Sequence, residues 1–146
     1  MDRGLALLAT VVAGGMIALQ APINSGLGKA VGTFAAAAFS FTVGAIALIG
    51  IAALSGGFDQ LGEARGLGWY YLIGGLLGAV YVTTALVAVR SLGGGGVTAA
   101  TVAGQLATAV LIDRFGLLGL EQRPLSLGRV VGVGLLVLGT FLVIRD

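Results

Sequence analysis

Two residue types are missing and charge is scarce. There is no cysteine, so neither a disulfide framework nor a thiolate metal site can form. There is no histidine, which removes the commonest general base, metal ligand and proton relay. Charged side chains make up 10% of the 146 residues, against about 25% in a soluble domain. So few charges cannot coat the surface of a chain this size in water, and lipid must be part of its solvent. Proline occurs only twice, at Pro22 and Pro124. The net charge of +2 is too small to argue for nucleic acid, and no such partner is expected.

What is present is apolar bulk and glycine. Hydrophobic residues reach 58%, and there are 27 glycines without a collagen-like period. Glycine is more frequent in membrane helices than in soluble ones. The few charges punctuate the chain. Uncharged stretches lie between Arg3 and Lys29, Lys29 and Asp59, Arg65 and Arg90, and Arg90 and Asp113. Each is long enough for the roughly 20 residues a membrane helix needs. The last apolar run, from Val130, reaches that length only if it starts near Leu125 and Arg129 snorkels to the interface. The expectation is an all-α integral membrane protein with five transmembrane helices, at about 4–28, 32–55, 67–91, 96–113 and 126–145, in a single membrane domain over residues 1–146.

The first run starts like a signal peptide, with Arg3 before apolar residues, yet four more apolar runs follow and no A-x-A site stands where cleavage would fall. It reads as a first transmembrane helix. Pro22 removes one backbone hydrogen bond within it, so a discontinuity is expected near residues 18–22, or else the helix ends there. Lys and Arg counted near the helix ends put Arg3, Arg65, Arg114, Arg123 and Arg129 on one side and Lys29, Arg90 and Arg145 on the other. Five against three is a weak bias toward an N-terminus inside, compatible with insertion both ways.

No catalytic signature is visible: no Ser/His/Asp set, no phosphate loop, no metal cluster, and no carboxylate pair within a helix. Neither an enzyme nor a cofactor is expected. What could carry function is a set of uncharged polar residues at membrane depth. Gln20 and Asn24, four apart, share a face of the first helix. On the fourth run, Thr98, Thr101, Gln105 and Thr108 form a polar stripe, while Gly96, Ala100 and Gly104 form a small-residue stripe suited to close helix contact. That contact could lie between two subunits or within one. On the third run Trp69, Tyr70 and Tyr71 suit an interfacial aromatic belt, and Tyr81 lies deeper, where its hydroxyl needs a partner or water. Phe34 and Phe41 read as packing residues. Buried amides cost free energy unless paired, so Gln20, Asn24, Tyr81, Thr101 and Gln105 are the candidate substrate-binding residues. Asp113 is the one carboxylate next to a helix core and hence the one candidate for ion coupling, although it is expected at the interface, paired with Arg114.

The residues also resemble a family. Gly14–Gly15, Gln20, Asn24, Leu27, Gly28, Phe41 and Gly44 carry the likeness in the first half, with Trp69, Gly74–Gly75, Gly78, Tyr81 and Val82 after them. Gly104–Gln105, Ile112–Asp113, Phe115–Gly116, Leu118–Gly119 and Pro124–Leu125 carry it in the second. Together they resemble the YdcZ family, assigned as inner-membrane exporters within the drug/metabolite transporter superfamily. The family is similar to the small multidrug resistance proteins, which work as antiparallel dimers of four-helix subunits. The resemblance implies a multi-pass protein of the bacterial inner membrane and a half unit of a drug/metabolite transporter, acting as a homodimer with dual topology or as an opposed pair. It implies no substrate. One departure matters: the multidrug relatives embed a glutamate in the first helix, whereas here the polar residues of that helix are Thr10, Gln20, Asn24 and Ser25. A cation/proton antiport copied from those relatives is therefore not expected.

The leading expectation is a small exporter of a neutral or zwitterionic metabolite, with its site at an antiparallel dimer interface. A narrow dual-topology ion channel and a non-transporting assembly protein are the alternatives. The assembly protein would pair its polar stripes with each other and leave no cavity.

Overall fold

The computed structural model describes residues 2–59 and 61–145. The described residues hold helices and no strand. Four helices are long and apolar enough to cross a membrane: α1 (Arg3–Val31), α2 (Thr33–Ser55), α3 (Gly74–Phe115) and α4 (Leu127–Arg145). The chain divides into two compact units, Met1–Arg90 and Ser91–Asp146, each described on its own below.

In the first unit a single residue, Gly32, joins α1 to α2. Its φ of 89° and ψ of 156° lie where a side chain is strained, and its N–H donates to the Gly28 carbonyl at 3.0 Å. The buried residues of α1 are Ala21, Asn24, Ser25 and Gly28. Their spacing of three, four and seven residues puts them on one stripe. Ala36 and Ala37 of α2 and Val82, Ala85 and Leu86 of α3 are buried in the same unit. Leu86 is fully enclosed, and it sits against Gly28, where an added Cβ would lie 3.3 Å from its Cδ2. Gly78 of α3 similarly receives the ring of Phe41 from α2, at 3.3 Å from where its Cβ would be. Small residues thus replace the driving force that water cannot supply between helices in lipid.

Nearly every other large apolar side chain is exposed on the single chain, along α1, α2, α3 and α4 alike. Lipid is the solvent that accommodates such a surface. Phe34, expected to pack, is 80% exposed and belongs to that outer surface, because Ala36 and Ala37 take the inward positions of its turn.

The second unit is a hairpin built from the rest of α3 and α4. Near one end Gly95 and Gly96 admit Val143 and Ile144, with Cβ positions 3.8 and 3.4 Å from those side chains. The Thr140 hydroxyl donates toward the carbonyls of Ala99 (3.0 Å) and Leu136 (2.8 Å). At the other end α3 stops at Gly116, whose φ of 61° is left-handed. The stop is held by the Arg123 N–H donating to the Asp113 carbonyl at 2.8 Å and Gln122 Nε2 donating to the Arg114 carbonyl at 3.0 Å. Orphan carbonyls at a helix C-terminus need such partners.

The structure differs from expectation at three points. First, four helices long and apolar enough to span are present, and the two expected over 67–91 and 96–113 are joined in one element, residues 74–115, with a kink inside the expected gap between them. Within it Gly93 alone is non-helical, at φ 67° and ψ 171°. Residues 69–72, expected to be the start of a membrane helix, form a short 3-10 turn carrying the exposed cluster of Trp69, Tyr70 and Tyr71. Second, there is no break at Pro22: α1 is helical through all 29 residues. A proline forfeits one hydrogen bond, and the rest of the ladder holds where no water competes for it. Third, Asp113 pairs with Arg129, as described next, and not with Arg114.

Candidate functional site

The candidate residues fall in both units. Gln20, Asn24 and Tyr81 belong to the first, Thr101 and Gln105 to the second.

Asn24 is the most confined. It is 5% exposed, and its Nδ2 is buried with no hydrogen-bond partner among the described residues. Such a stranded donor costs about 1–3 kcal/mol. Gln20, one turn earlier, is exposed, because it lies beside the buried stripe and not on it. Tyr81 is half-buried. Neighbouring Thr84 spends its hydroxyl on its own helix, donating to the Val80 carbonyl at 2.8 Å. In the second unit Thr101 is half-buried and Gln105 is exposed. Both glutamine amides therefore stand on the outer surface of a single chain at membrane depth. The small stripe divides: Gly96 is buried against Leu92 and Ile144 of its own chain, whereas Ala100 is exposed and a Cβ on Gly104 would meet nothing within 4 Å.

Another face of α1 borders a groove of about 500 Å³, lined by Pro22, Ser25, Gly26, Lys29, Val89 and Arg90 but not by Asn24. Arg90 reaches it from α3, donating from Nε to the Ser25 Oγ at 3.4 Å. Its Nη2 lies over Gly28, 3.1 Å from where a Cβ would be. The bare backbone of Gly28 thus gives the guanidinium its seat. The sequence reading missed Ser25 and Arg90 as partners. The signal open to it was the i, i+3 spacing of Ser25 and Gly28, which leaves room for a side chain from another helix.

Asp113 and Arg129 form an ion pair, Oδ2 to Nη1 at 3.4 Å, with side chains 31% and 30% exposed. Successive residues diverge by about 100° around a helix, so Arg114 points away from Asp113, and the arginine at the start of α4 is better placed. A pair this exposed contributes on the order of 0.2–1 kcal/mol.

Residues 5–142 match the family described as "Putative inner membrane exporter, YdcZ". The chain belongs to this family. No curated protein and no solved structure matches it. Membership places the chain in a family of inner-membrane exporters. The structure shows what some of the residues that carry the resemblance do here. The stretch from Ile112 to Gly119, which carries the resemblance in the second half, is a helix stop: Asp113 makes an ion pair, and Gly116 and Gly119 (φ 79°) take left-handed backbone. The Gly28 of the YdcZ-like first helix is a contact point for α3.

Proposed function

We propose that this YdcZ-family chain exports a small neutral or zwitterionic metabolite, held by Asn24 together with Gln20, Tyr81, Thr101 and Gln105 in an antiparallel homodimer. The carrying observation is the buried, unpaired Nδ2 of Asn24. A protein that used its amides only as glue between helices would have paired that donor. Amides both donate and accept, so they suit cargo without a fixed net charge.

Two observations support a second copy. The exposed amides of Gln20 and Gln105 are costly in hydrocarbon unless something covers them. Ala100 and Gly104 leave a shallow, open helix surface that a partner helix can approach. Ten helices in two copies would follow if each chain crosses five times. The length of α3 supports five: 42 residues at 1.5 Å each run about 63 Å, twice the roughly 30 Å of hydrocarbon. The non-helical Gly93 divides it into parts of 74–92 and 94–115, each of a length to cross once. Asp113 is the candidate for coupling to protons, but its place in an exposed ion pair at the end of α3 favours a structural role.

The test is ligand binding by folded variants. Asn24→Leu and Gln105→Leu are expected to keep their thermal stability within a few degrees and to bind cargo about tenfold more weakly or worse, the loss of one good hydrogen bond plus a stranded partner. Thermal unfolding and binding titrations against a panel of zwitterionic metabolites check this. Lower stability with unchanged affinity in the folded fraction would make both residues helix glue and remove the site.

A further inference from the structure

We propose that the groove beside Pro22 binds an oxyanion, a carboxylate or phosphate group, between Lys29, Arg90 and Ser25. The proposal concerns binding alone and stands whether or not the chain exports.

The argument begins with an imbalance of charge. Two cations, Lys29 and Arg90, line one groove of about 500 Å³. Among the described residues the one ion pair is Arg129 with Asp113, in the other unit, so no carboxylate pairs with either cation. The acids of the first unit lie far away. Asp2 precedes α1, whose 29 residues put it about 43 Å from the Lys29 end. Asp59 and Glu63 follow α2, which carries the chain about 34 Å back from Gly32 over 23 residues. Two like charges sharing a groove repel one another, and an anion between them would reverse that term.

The donors are also free. A guanidinium has five N–H donors in a fixed fork, and here one of them, on Nε, is engaged with Ser25. The fork is held in place, since Nη2 rests on Gly28 where any side chain would displace it. Planar recognition of carboxylate or phosphate is what a pre-positioned arginine does best. Ser25 is 5% exposed, and because its oxygen accepts from Arg90 its own proton remains to be donated. The walls suit a small ligand: Pro22 brings no N–H to compete, and Gly26 opens the floor, with nothing within 4 Å of an added Cβ. Lys29 also stabilises the C-terminal end of α1 through the helix dipole. That role accounts for one lysine and not for an arginine brought to the same groove from α3.

A free metabolite anion and a lipid headgroup present the same chemistry, so the test separates them. The full chain is placed in nanodiscs of phosphatidylcholine alone or with added phosphatidylglycerol. Inorganic phosphate and acetate are titrated by calorimetry, and lipid retention is read by native mass spectrometry. We expect an anion to bind in one arm, and Arg90→Gln and Lys29→Gln to weaken that binding about tenfold or more. Phosphate or acetate binding in pure phosphatidylcholine assigns a free anion; selective retention of phosphatidylglycerol assigns a headgroup. Gly26→Leu should abolish either by filling the groove with both cations in place. Should Arg90→Gln fail to fold, Lys29→Gln and Gly26→Leu carry the test, since neither touches the contact of Arg90 with Ser25. Absence of binding in both arms with folded wild type, or affinity unchanged in Lys29→Gln and Gly26→Leu, would overturn the proposal.

Discussion

Gly28→Leu is expected to destabilise the protein by about 2–5 kcal/mol. Overpacking an enclosed contact costs about 1–3 kcal/mol. Here the new Cβ alone would stand 3.1 Å from the Arg90 Nη2 and 3.3 Å from the Leu86 Cδ2. Leu86 has no room to retreat, being fully buried. The rest of the leucine side chain would crowd Arg90 as well and strain its hydrogen bond to Ser25, and a bond from a charged donor is worth about 1.5–3 kcal/mol. Gly26→Leu, two residues earlier on α1, is the control, since its Cβ would meet nothing within 4 Å. Unfolding in detergent should therefore separate the two leucine variants widely. Equal stability would mean that α3 does not rest on α1 at Gly28.

The second large effect is expected from Gly93→Ala. At φ 67° and ψ 171° the backbone occupies a region open essentially to glycine alone. Forcing an alanine there costs about 1–3 kcal/mol even though the surrounding space is empty. The cost is purely conformational, so it should appear equally with serine. Gly94→Ala tests that reasoning, because residue 94 also has open space but no positive φ. There alanine should be neutral or stabilising by up to about 1 kcal/mol, as in any helix interior. A Gly93→Ala variant as stable as wild type would show that residue 93 is helical and that α3 runs straight.

These two glycines mark the limit of what was legible in the chain. The apolar runs were legible because charge is rare and falls between them, which places α1, α2 and α4 within a few residues. The break in α3 was legible as a gap, since the expected runs 67–91 and 96–113 leave residues 92–95 between them; which residue departs from the helix was not, because Gly93 stands in a row of four glycines from Gly93 to Gly96. Nor did the inward face of each helix show in the pattern. When lipid covers the outside, both faces are apolar, and the amphipathic signal that orients a soluble helix is lost. Only the small and polar stripe of Ala21, Asn24, Ser25 and Gly28 distinguishes the inside of α1. For the candidate site, Asn24 could be singled out from the cost of burying an amide. Arg90 could not, because its partner Ser25 lies 65 positions away and nothing local links the two. Asp113 shows the same limit: its neighbour in sequence is an arginine, yet its partner is the arginine of the facing helix.

Flux through the reconstituted protein tests the central claim most directly. Purified chain in liposomes is loaded with a panel of neutral and zwitterionic metabolites, and release is followed with and without a pH gradient for wild type, Asn24→Leu and Asp113→Asn. An exporter with its site at Asn24 releases at least one member of the panel well above protein-free liposomes. Asn24→Leu then falls to about a tenth or less, while Asp113→Asn keeps any dependence on the gradient. If folded, reconstituted wild type releases nothing above the protein-free background, or Asn24→Leu transports as fast as wild type, the account of this chain as an exporter built around Asn24 is contradicted.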